Sequence, residues 1–294
     1  MMSIANCFGI NGTFISCLLI TMISFMYMGG CTYNAKSSER IKPDTIEDNR
    51  LKSSDDLAHQ IPRARVEKAH TLGLAAILRE QVLTVGEIWL LQKMLKSAPN
   101  KALQQMVNDR AADLAGHPFE RLINPSTPYA NLPEDPGCGL TRFYNYILAP
   151  FGTPKKRAIS FIDDFLSTDE SGYVLTHQFI VLEWAEQTCL ELPEQLEAKR
   201  KKLLDQILWE QLADKSFSDL YVERVAILLY FGDPDAIAAA QWIKTIVNAQ
   251  LPDGSWGLYT EHLSYDGQSI TGKPGTSHTI VLALLSLRAY LDKY

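Results

Sequence analysis

The sequence predicts an all-α body made of helical hairpins in two layers. Three observations carry this. No convincing period-2 strand occurs after Pro62, while helical periodicity recurs to the end of the chain. Pro and Gly punctuate the periodic stretches at Pro99, Pro125, Pro133, Pro136, Pro154, Pro193, Pro234 and Pro252. Helices of two kinds alternate in the second half. The stretch 234–250 is amphipathic, with Ala239, Ile243, Ile246, Val247 and Gln250 on one side and Lys244 and Asn248 on the other. The stretch 276–292 is apolar nearly all round, through Ile280, Val281, Leu282, Leu284, Leu285 and Leu287. A helix of that second kind needs cover on most sides. An outer amphipathic helix paired with a buried inner one is the pattern of a two-layered helical ring.

The expected helices run near 63–81, 84–97, 99–114, 139–149, 154–167, 174–190, 192–213, 217–231, 234–250 and 276–292. An internal repeat supports the layering. A shift of 84 residues, the interval from Ile159 to Ile243, also aligns Ile162 with Ile246, Asp169 with Asp253 and Ser171 with Ser255. Each copy then enters an inner helix through a hydroxyl residue and a histidine, Thr176-His177 and Ser277-His278. The second copy carries an extra loop over 258–275.

Composition bounds the function. The 294 residues are 46% hydrophobic, enough for a sizeable core, and the net charge is −6. Nucleic acid is not an expected partner, because its footprint needs clustered Lys and Arg. The five cysteines are Cys7, Cys17, Cys31, Cys138 and Cys189, too few for a disulfide-dense scaffold. Cys138 and Cys189 are the two in the body, and the sequence leaves open whether they pair.

The leader decides location. Phe14 to Gly30 is uncharged and suits a signal-peptide core better than a spanning helix, which needs about 20 apolar residues. It ends Met28-Gly29-Gly30-Cys31, which resembles the lipobox of bacterial lipoproteins despite Met at the usual Leu position and no basic residue before the apolar run. The resemblance implies lipidation at Cys31, including palmitate, and a body anchored in the cell envelope facing periplasm or exterior. Residues 1–30 are then the signal peptide, 31–61 a polar, charge-rich tether and 62–294 the folded domain.

Ala249 to Gly257 read AQLPDGSWG. This resembles the Q-x-x-D-G-S-W repeat of the α/α toroids, which include terpene cyclases, protein prenyltransferase β subunits and complement-type thioester domains. Residues 168–173, TDESGY, are similar to a degraded second copy. The resemblance implies a ring, whole or incomplete, with inner-helix N-termini gathered at one end of a funnel. Pro136-Gly137-Cys138-Gly139 echoes the thioester motif, but Thr141 stands where the acyl partner Gln is needed. The cyclase Asp-x-Asp-Asp is absent, and Asp163-Asp164 falls on an outer helix. The prenyltransferase Asp-x-Cys pair is missing too, although His278 opens an inner helix as that family's zinc-binding His does.

Three readings then compete. His177 and His278 with Asp219 or Glu223, four apart on one helical face, match a divalent metal site such as zinc for a hydrolase or transferase. Cys138, between glycines at a helix start, with His177 or His278 as base, suits acyl transfer. The third is a ring that binds a peptide, glycan or envelope protein without chemistry, with Tyr173, Trp256 and Tyr265 as contact residues. His70 is expected in the core or as a cap, and His59 and His117 in loops.

Overall fold

The computed structural model describes residues 61–188, 190–257, 262–265, 268–271 and 276–294. The signal peptide, nearly all of the tether, Cys31 and Cys189 lie outside the described residues. The described residues hold ten α-helices: α1 (Arg63–Ile77), α2 (Val85–Ser97), α3 (Lys101–Ala112), α4 (Gly139–Leu148), α5 (Lys155–Ser167), α6 (Gly172–Gln187), α7 (Glu194–Ala213), α8 (Asp219–Phe231), α9 (Ala236–Asn248) and α10 (Thr276–Lys293). Each expected helix is present. The largest boundary difference is at α1, which stops at Ile77 because the chain must turn before Thr84 caps α2. No helix of the described residues is long and apolar enough to cross a membrane.

Strand content is small. The pair β1 (Ala130–Asn131) and β2 (Gly152–Thr153) is parallel and two residues long. An antiparallel hairpin, β3 (His262–Tyr265) and β4 (Gln268–Thr271), occupies part of the loop before α10. That hairpin departs from the strand-free expectation.

Burial separates the helices into two layers. In α8 the nine residues Tyr221 to Leu229 are all buried, and in α10 every residue from Thr279 to Leu287 is buried. Outer helices bury a stripe only. The twenty residues of α7 bury Leu196, Leu203, Ile207 and Gln211, and α9 buries Ala239, Ala240, Trp242, Ile243, Ile246 and Val247. Side chains recurring at three and four residues make such a stripe.

Helix α10 is the centre of the packing and touches α8, α1, α2 and α9. Helix α6 lies against α7 and α8. It meets α2 through Trp184, whose ring sits edge-on to Trp89 at 5.8 Å, while the Trp89 indole donates to Gln187 at 2.6 Å. The N-terminal ends of α6, α8 and α10 meet at Asp219 and that of α2 meets α10, whereas α6 reaches α2 through its C-terminal end. Ser277 donates to Glu87 at 3.0 Å, and Tyr173 and His278 both reach Asp219. At the other end α2, α8 and α10 line a cleft of about 320 Å³ between Met94, Tyr230 and Arg288.

The QLPDGSW turn joins the first helix to the last outer one. Gln250 donates to the Ala69 carbonyl on α1 at 2.8 Å and to the Gly254 carbonyl at 3.0 Å. Asp253 accepts from the Ser255 amide and hydroxyl. Gly254 has φ 89°, and a Cβ there would lie 2.4 Å from the Leu72 carbonyl oxygen. Trp256 is fully buried, donates to the Ile246 carbonyl at 2.8 Å and fills the space that Gly73 leaves open on α1.

Two stability predictions follow from this seam. Gly254→Ala combines a left-handed φ with a backbone collision, so it is expected to cost well over about 1 kcal/mol. A urea-unfolding midpoint equal to wild type would refute the closing role of the turn. His70 is buried on α1, its Nε2 has no hydrogen-bond partner, and burial, then the Arg288 charge, push its pKa down to about 4. The unfolded imidazole takes up a proton near pH 6.5, whereas the folded one does so only near 4. Stability is therefore whole above pH 6.5 and falls as pH drops through that window, by about 3 kcal/mol at most. His70→Phe should flatten the pH dependence of the unfolding midpoint between pH 7 and 4; an unchanged slope counts against this assignment.

Candidate functional site

Four inner helices begin at one rim, and each contributes polar side chains to it. Asp219 is the pivot. Ser218 caps α8 by accepting from the Tyr221 amide at 2.9 Å, which frees the Asp219 carboxylate from capping duty. Asp219 instead accepts from the Tyr173 hydroxyl of α6 at 2.9 Å and from the Thr279 hydroxyl of α10. Its Oδ2 also lies 3.0 Å from His278 Nδ1. Burial opposes its charge, but His278 and the donors around it outweigh burial and hold the carboxyl below the usual range. His278 responds in kind. Burial favours its neutral form, yet Asp219 beside it, helped by Glu223 and Glu87, raises its pKa to about 9. About two-fifths of the His278 side chain remains open to solvent.

Glu223 stands one helical turn beyond Asp219 on the same face of α8. Only 5% of it is exposed, and its Oε2 has no hydrogen-bond partner. Its Oε1 lies 3.8 Å from His177 Nδ1. That imidazole is committed elsewhere: Nδ1 is 2.7 Å from the Tyr173 carbonyl, which can only accept, so Nδ1 carries the proton. The ring also lies against Phe143, with centroids 5.5 Å apart.

Of the expected metal ligands, Asp219, Glu223 and His278 offer donor atoms that all lie within 4.8 Å of one another. His177 is adjacent to that set without joining it. Tyr173 reaches the rim through its phenol. Two expectations need correction. Trp256 has no exposed surface and serves the α1 seam, so it presents nothing to a ligand. Cys138 caps α4 without a side-chain hydrogen bond and is disulfide-bonded, so it carries no thiol for attack on an acyl group. The side chain of Tyr265 lies outside the described residues, although its backbone is in β3.

The rim also holds residues that the sequence reading passed over. Glu87 closes a capping box with Thr84, whose amide donates to Oε2 at 2.6 Å, and its Oε1 takes the Ser277 hydroxyl. Thr84-x-x-Glu87 is a legible capping signature, but nothing in it announces a neighbour 190 residues away. Three carboxylates, Glu87, Asp219 and Glu223, therefore face the positive ends of converging helices, each worth roughly half a charge. No family model matches the chain, and no curated protein or solved structure shows a significant likeness to it.

Proposed function

We propose that this chain is an envelope-anchored lipoprotein, lipidated at Cys31, whose helical body is an α/α toroid that binds a ligand or partner at the rim of its inner helices. The observation that carries the reading is the gathering at Asp219 of polar groups from α6, α8 and α10, with His278 partly open to solvent. Side chains so distant along the chain meet only because the buried helices start together. The alternation of buried and striped helices, the meeting of α1 with α9 and α10, and the AQLPDGSWG turn support the toroid. Tyr173, His177 and His278 offer hydroxyl and imidazole groups suited to a peptide or glycan. Metal-dependent hydrolysis or transfer is the second reading, favoured by the unpartnered oxygen of Glu223. Acyl transfer at Cys138 is not proposed.

Two experiments test these claims in a bacterial host. Radiolabelled palmitate should enter the wild-type chain and leave Cys31→Ser unlabelled, with the variant lost from the membrane fraction. Equal labelling of both chains would remove the lipoprotein reading. A photo-reactive amino acid replacing half-buried Leu220, in the first turn of α8, should give crosslinked species absent when it replaces Trp209 on outer helix α7. Identical patterns from the two positions would show that the rim has no special partner.

A further inference from the structure

We propose that Asp219, Glu223 and His278 hold a divalent metal ion of the zinc class at the rim of the inner helices. This deepens the binding reading above and rests on the rim being reached from solvent. The three donor atoms already lie within 4.8 Å of one another. Asp219 Oδ2 and His278 Nδ1 are 3.0 Å apart, close to the roughly 3–3.4 Å edge expected when two ligands each sit about 2.1 Å from one ion, and an ion seated there releases to solvent the proton that the two now share. Only the third donor must move inward.

Glu223 is free to make that move. Its Oε2 forms no hydrogen bond, so turning the carboxylate towards the other two gives up only the 3.8 Å approach of Oε1 to His177. A carboxylate 95% buried with an unsatisfied oxygen is costly unless something answers its charge. No hydroxyl, amide or cationic group among the described residues bonds to that oxygen. A metal ion between it and Asp219 would answer it.

The surroundings fit a held ligand. Tyr173 donates to Asp219 Oδ2 and Thr279 to Oδ1, and this fixes the carboxylate plane. Outer hydrogen bonds of this kind orient metal-binding carboxylates. One imidazole and two carboxylates suit zinc or a similar transition ion, whereas calcium takes six to eight oxygens. Three protein donors leave at least one position open. His278 lies on the exposed side of the set and gives an ion a way in. The rival arrangement is a closed ion pair of Asp219 with His278 that binds nothing.

The test uses the full chain, purified in detergent, stripped with a chelator and titrated with zinc alone against a chromogenic competitor. One zinc per chain is expected to bind saturably, and excess zinc should raise the wild-type Tm. Glu223→Gln keeps the shape of the buried side chain and should weaken binding tenfold or more and abolish the Tm shift. His278→Gln, at a more open position, should do the same and serves if the first variant folds poorly. His117→Ala, a histidine distant from the rim in sequence, should change neither. Failure to bind one equivalent, or equal binding by Glu223→Gln and His278→Gln, overturns the proposal. Crosslinking at Leu220 without zinc binding would leave the partner reading standing and remove the metal alone.

Discussion

One carboxylate joins three helices that are remote in sequence. Asp219 begins α8, takes a hydroxyl from α6 and a hydroxyl and an imidazole from α10. A buried charge tolerates this position only because each oxygen has a partner. The parallel setting of the inner helices is what brings those partners within reach. Had α10 run the other way, His278 and Thr279 would lie at the far end, beside Met94 and Tyr230. The rim and the helix direction therefore stand or fall together.

The gathering of helix starts carries an electrostatic cost, since their partial positive charges repel. Glu87, Asp219 and Glu223 offset it, and each does so differently. Glu87 is spent on a cap and on Ser277, Asp219 on three neighbours, and Glu223 keeps one oxygen unused. Arg224, buried one residue after Glu223, pairs with Glu210 at 3.3 Å and with Asp214 at 2.7 Å on and just after α7. Its Nε nevertheless lacks a hydrogen bond, as does Glu223 Oε2.

Much of this was legible in the sequence, and the reasons differ by residue. The ten helices follow from apolar periodicity and from Pro and Gly breaks, which are local signals. His177, Asp219, Glu223 and His278 stand out because ionisable groups interrupt apolar inner helices. Thr279 and Glu87 did not, because a hydroxyl or a capping glutamate reads as local until the fold supplies a distant partner. Trp256 was misjudged as a ligand wall: aromatic residues at a repeat junction look alike whether they face a groove or, as here, Gly73. Cys138 could not be resolved from sequence for a similar reason, since a helix-start cysteine between glycines fits a reactive thiol and a crosslinked one equally well. The β3–β4 hairpin had a signal, Asp266-Gly267 between two four-residue runs, that helical periodicity elsewhere overshadowed. Neither the helix direction nor the enclosure by α1 is written in any single segment.

The place of α10 has a consequence for biogenesis. The most central helix follows α1, α2, α8 and α9 in the chain and touches all four. Until it emerges, those four elements share an apolar groove with nothing to fill it, and such surfaces invite aggregation. The body therefore cannot mature piecemeal from its amino end. A nascent chain must keep that groove from aggregating until α10 has followed the four helices it packs against.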